Sequence, residues 1–140
     1  MTNTNATKTA AAIAFEYAQA ADSLIDFDPA RLVMRDEATF SRLARNAAYF
    51  LSAPVYDGAE DEDTPEAFDP LGIEIYRNAE NGEFIADVYL TVGGPSIWAR
   101  YESRRGRLTL FAHWGADEIE FTSDECPLID WIKCAEDCAY

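Results

Sequence analysis

One histidine, three cysteines and a large surplus of carboxylates are the residues of this sequence that could do chemistry. His113 stands between Ala112 and Trp114 in a strand-like stretch, with no Gly-x-Ser-x-Gly elbow or other nucleophile motif to work with. It reads as a structural histidine rather than a general base. Cys126, Cys134 and Cys138 would make a Cys₃His set with His113, but their spacing lacks the short knuckle that organises zinc, and Cys138 also fits a helical packing stripe. Calcium loops need an ordered series of Asp and Asn around a glycine, and that order is absent. Gly93-Gly94-Pro95-Ser96 has no lysine after it and no helix starting there, so it reads as a hairpin turn rather than a phosphate cradle. No catalytic residue, metal or cofactor is assigned, and the chain is not expected to be an enzyme.

What remains is the charge. Across 140 residues, 26 acids against 11 bases give a net charge of −15, where roughly 2 to 8 units suffice to keep a small domain soluble. Such a field repels nucleic acid and anionic lipid and accelerates encounter with basic surfaces. Two plainer explanations stand beside a basic partner. One is a high-salt cytoplasm, which Lys8 and Lys133 as the only lysines would suit; the other is an acidic surface without a specific role. The acids fall into two clusters. Asp57, Glu60, Asp61, Glu62, Asp63, Glu66 and Asp69 meet no basic residue, and Asp117, Glu118, Glu120, Asp124 and Glu125 follow near the end. Carboxylates held close together on a rigid face can imitate the phosphates that a nucleic-acid-binding groove reads. Arg100, Arg104, Arg105 and Arg107 form the one basic island, which is expected to pair with neighbouring acids rather than grip nucleic acid.

The elements that must position these residues change character halfway along the chain. Residues 7–25 repeat apolar side chains at helical spacing, and Asp28-Pro29 suits a short turn after them. Asp36 is the expected N-cap of a second helix with the inward stripe Phe40, Leu43, Ala44, Ala47, Phe50 and Leu51, ended by Pro54. Residues 57–70 read as an acidic loop, since Gly, Pro and repelling carboxylates disfavour regular structure. Beyond it the period becomes two: strands are expected over 71–77, 84–92, 97–102, 108–114 and 118–121, joined by short turns. Thr122 with Glu125 forms a capping-box pattern, and Pro127 suits the first turn of a closing helix with the stripe Leu128, Trp131, Ile132, Ala135 and Cys138.

The expected fold is therefore α+β in a single domain, 1–140. It has N-terminal helices in 1–56, then the acidic loop, then a five-stranded antiparallel meander with a C-terminal helix packed on it. One sheet face gathers an ordinary aliphatic core. The other mixes Tyr76, Ile85, Tyr89, Trp98, Phe111 and His113 with Glu74, Asp87, Arg100, Glu102, Glu118 and Glu120, too aromatic for an idle solvated face. Coverage by the N-terminal helices is the favoured account, and an exposed interaction patch is the alternative. An open sheet edge would also allow a homodimer. Neither a membrane span nor a secretory leader is read, and the odd number of cysteines suits reduced thiols, so the expected location is the cytoplasm.

In length, acidity, small helical half and compact sheet, the chain resembles phage and mobile-element inhibitors of bacterial defence, the anti-CRISPR and antirestriction proteins, several of which are DNA mimics. The segment Gly93-Gly94-Pro95-Ser96-Ile97-Trp98, followed by His113-Trp114-Gly115-Ala116-Asp117-Glu118 and Leu128-Ile129-Asp130-Trp131, looks like a pattern in small phage-borne proteins. The resemblance covers the C-terminal third to half. It implies an inhibitor acting in the host cytoplasm on a CRISPR effector or restriction enzyme. Carboxylates of the two clusters would meet Lys and Arg of a nucleic-acid groove, and Tyr89 and Trp98 would add affinity if exposed. The alternatives are an immunity protein against a basic toxin nuclease, and a small enzyme or ligand-binding domain using His113.

Overall fold

The computed structural model describes residues 8–21, 24–56 and 67–139. Thr9 opens helix α1 (Ala10–Ala20), its Oγ1 accepting the Ala12 N–H at 3.1 Å and so satisfying a donor that a helix start leaves without a partner. The expected helix over 7–25 stops at Ala20, with Ala21 already extended at φ −79° and ψ 147°. Leu24–Asp26 is instead strand β1, paired antiparallel with the far end of the sheet. Its alternation is too short to stand out beside the helical stripe before it. Tertiary contact fixes it: Phe27, just beyond, packs its ring 6.0 Å from that of Phe121. The sheet thereby has six strands rather than the expected five.

After a 3₁₀ turn at Pro29–Arg31, capped by Asp28 as its sequence suggests, helix α2 (Glu37–Ser52) begins. Asp36 caps it, accepting from the Thr39 N–H at 2.9 Å and the Thr39 hydroxyl at 2.6 Å. Phe40, Leu43, Ala44, Ala47 and Leu51 are fully buried. Full burial of an aliphatic or aromatic side chain is worth about 1.5–3 kcal/mol, so this stripe, not helix propensity, holds α2 in place.

Strands β2 (Gly72–Arg77), β3 (Phe84–Thr91), β4 (Ser96–Glu102), β5 (Arg107–Trp114) and β6 (Asp117–Glu125) form the expected meander, and the spatial order is β1-β6-β5-β4-β3-β2. The β5–β6 turn needs only Gly115 and Ala116 between the paired residues Trp114 and Asp117. Gly115, at φ +62°, supplies the positive φ that a two-residue hairpin of this twist demands. Gly94 is required for a different reason: a Cβ there would lie 2.9 Å from Trp114 Nε1, so the β3–β4 turn rests directly on the indole.

β6 runs well past the expected end at residue 121. Thr122 pairs with Thr109 and Ser123 with Leu108, so the residues that resembled a capping box belong to the strand. Helix α3 (Pro127–Ala139) then starts on Pro127. It buries Leu128, Ile129 and Ile132 and ties itself to β2 through an ion pair between buried Glu136 and Arg77.

Helices α1, α2 and α3 send their buried side chains into the same cluster as Ala86, Val88, Ala99, Leu110, Ala112 and Phe121 of the sheet. Among the described residues, all the helices thus lie on one side. The expected coverage of the aromatic face by the N-terminal helices is not what is found: Ile85, Tyr89, Trp98 and Phe111 stand outside the core cluster, on the side the helices leave open. The helical stripes are apolar on one side only, and the aliphatic sheet face already satisfies them. No helix among the described residues is long and apolar enough to cross a membrane.

Candidate protein-binding face

Antiparallel register places the outward side chains in rows across the strands. The central row is Tyr89 of β3, Trp98 of β4, Phe111 of β5 and Glu120 of β6. Trp98 and Phe111 stack, with ring centroids 4.5 Å apart and planes 22° from parallel. The next row is Glu74, Asp87, Arg100, Thr109 and Thr122, and beyond it come Tyr76, Ile85, Glu102, Arg107 and Asp124. On the opposite side of the central row stand Ser96, His113 and Glu118. Glu120 thus ends the aromatic row, Glu74 and Asp87 flank it on one side, and Glu118 stands at the corner of the other. With Glu102 and Asp124 these carboxylates outnumber the guanidiniums that Arg100 and Arg107 place in the same rows.

Those two guanidiniums are already engaged. Arg100 grips the buried carboxylate of Asp87 with two bonds of 2.7 and 2.9 Å, and its Cζ lies 5.7 Å from the Trp98 ring centroid. The Asp87 bond raises the Arg100 pKa further above its ordinary value. Arg107 bonds Asp124 at 3.1 Å, and Arg105 reaches Glu102 at 3.7 Å. Arg100, Arg105 and Arg107 thus pair internally, as the sequence suggests for the basic island, whereas Arg104 forms no ion pair among the described residues. On the β2 side the Tyr76 hydroxyl donates to Glu74 at 2.5 Å, which holds the phenol above its usual range. Tyr89 is raised too, by desolvation first and by the charge of Glu74 second.

The two acidic clusters fare differently. Asp57, Glu60, Asp61, Glu62, Asp63 and Glu66 lie outside the described residues. Asp69 is exposed, next to buried Phe68, which bridges to Val55. In the second cluster, strand alternation separates the acids. Glu118, Glu120 and Asp124 point outward, whereas Asp117 is 3% exposed and turned to the helical side. Its Oδ1 accepts the backbone N–H groups of Arg35 and Asp36 at 2.5 and 3.1 Å, holding the approach to α2. Asp117 is thus a structural acid. Glu125 is exposed at the end of β6 opposite Leu24. Tyr89 and Trp98 both sit in the open row. Phe111 completes that row, and the period-two pattern of β5 had already placed it on this face.

Other chemistry is not assembled. The row Ser96, His113, Glu118 sets acyl-transfer residue types side by side, yet no hydrogen bond or ion pair joins them, and the Ser96 hydroxyl donates to the Gly93 carbonyl at 3.0 Å. The cysteines are free thiols. Cys126 is buried, and burial pushes its pKa up; Cys134 and Cys138 are exposed on α3. Among the described residues no group of three or more His, Cys, Asp or Glu could hold a metal ion. No family model matches the chain, and no curated protein or solved structure matches it either.

Proposed function

We propose that the chain is an acidic inhibitor that seats its open sheet face on the basic nucleic-acid-binding surface of a bacterial defence complex, a CRISPR effector or a restriction enzyme, and so excludes DNA. The observation that carries this reading is an aromatic row left uncovered by the helices, with Glu74, Asp87, Glu118 and Glu120 beside it, in a chain of net charge −15. The aromatics supply area that gains from burial, and the surrounding acids select a positive surface and speed its encounter. A partner evolved to hold phosphates presents the complementary charge. The defence setting comes from the resemblance of the sequence to anti-defence inhibitors.

The test is binding to purified CRISPR effectors and restriction enzymes, with and without saturating duplex DNA and across a salt series. Competition by DNA and weakening with salt are expected. Binding that neither DNA nor salt disturbs would rule out this mode of action.

A further inference from the structure

Between β5 and β6 the open face holds a cleft of about 210 Å³, lined by Arg31, Phe111, His113, Glu118 and Glu120 together with strand backbone. We propose that this cleft receives an arginine side chain of the basic partner, stacked on Phe111 and paired with Glu120, and that the incoming guanidinium displaces Arg31. The inference rests on the reading that the sheet face is the docking surface, and it names the group that the face recognises.

Trp98 stacks on Phe111 from the β4 side, and the row continues past Phe111 to Glu120. The ring side toward β6 is therefore bordered by a carboxylate rather than by another ring. One step away on the same face the molecule already shows the completed arrangement. Arg100 lies near Trp98 while its fork is held by Asp87. Aromatic, guanidinium and carboxylate recur in the cleft as Phe111, Arg31 and Glu120, but loosely: Arg31 Nε is 4.0 Å from Glu120, and its side chain is 67% exposed. A surface pair of that length contributes little and exchanges readily.

Arginine suits the cleft better than lysine does. Its planar, weakly hydrated guanidinium stacks on a ring and meets a carboxylate with two donors at once, whereas an ammonium keeps its water. An aromatic row on an open antiparallel sheet is also a format for stacking nucleic-acid bases. Such platforms need free cations beside the rings for the phosphates. Here Arg100 and Arg107 are bound to Asp87 and Asp124, which leaves Arg31 at the edge as a loosely held cation beside these rows, against the carboxylates of Glu74, Glu118 and Glu120.

The experiment is calorimetric titration of the full chain with oligoarginine and oligolysine peptides of equal length, and with single-stranded DNA, at physiological salt. Oligoarginine should bind about tenfold more tightly than oligolysine. Phe111→Leu, which keeps apolar volume without the ring, and Glu120→Gln should each remove most of that preference with the circular dichroism spectrum unchanged. Arg31→Ala should tighten oligoarginine binding severalfold. Equal affinity for the two peptides, or a preference that survives Phe111→Leu, would overturn the cleft assignment while leaving a charge-driven basic partner standing. Binding to neither peptide would overturn both, as would binding to the DNA in their place.

Discussion

Replacing Asp117 by alanine removes an acceptor that joins two distant parts of the chain. One carboxylate oxygen, on a residue 3% exposed, holds the N–H groups of Arg35 and Asp36 at 2.5 and 3.1 Å. Hydrogen bonds to a charged group contribute about 1.5–3 kcal/mol each. Both donors belong to exposed residues that water can reach in the variant, so the lower figure applies and the pair comes to about 3 kcal/mol. With a urea m-value of about 2 kcal/mol per molar, the unfolding midpoint of Asp117→Ala should fall by about 1.5 M at unchanged m. Asp117→Asn keeps a neutral acceptor in place and should lose about half as much. Urea denaturation followed by circular dichroism measures both. A midpoint for Asp117→Ala within 0.3 M of the parent would refute the assignment of this acid to the fold. Reduced partner affinity in a fully folded Asp117→Asn would refute the claim that it takes no part in binding.

Three further outcomes follow from the same geometry. Arg100→Ala strands the buried carboxylate of Asp87 and should cost about 2 kcal/mol in urea unfolding, held below the range for fully buried pairs because Arg100 is partly exposed. Gly94→Ala drives a Cβ to within 2.9 Å of the Trp114 indole nitrogen. It should shift the Trp fluorescence and lower stability by about 1–3 kcal/mol, and an unchanged spectrum and midpoint would count against that packing. The Asp36 carboxyl is held below its ordinary pKa by its hydrogen bonds from Thr39. Its contribution is therefore complete above the unfolded value near about 3.9 and is lost as pH falls through the lower folded value. Asp36→Asn, an equally good cap, should flatten that part of the acid limb; an identical pH profile in the two proteins would contradict it.

Much of the fold is legible in the sequence because its signals are local. The Phe40–Leu51 stripe, the Asp36 cap and the period-two runs of β2 to β5 each announce themselves within a few residues. β1 does not, since Leu24–Asp26 becomes a strand only through pairing with β6. The length of β6 was hidden by Thr122 and Glu125, whose spacing imitates a helix start. The continued alternation matters at the site, because it places Asp124 outward, where it meets Arg107. The open aromatic face follows from helices whose stripes match one sheet face only. Side-chain types reveal the two faces, but not which of them the helices choose. The cleft beside Phe111 depends on where Arg31 lands after the 3₁₀ turn, and no spacing rule foretells that.

The central claim is that the sheet face itself, rather than net charge alone, binds the basic partner. Two variants of equal charge change decide it: Glu118→Lys with Glu120→Lys on the face, and Asp130→Lys with Asp137→Lys on exposed positions of α3. Affinity for a CRISPR effector or restriction enzyme that binds the parent chain should fall at least tenfold in the first and only slightly in the second, since an exposed charge away from the contact acts through a screened field. Equal losses in the two variants, or a greater loss from α3, would contradict the account.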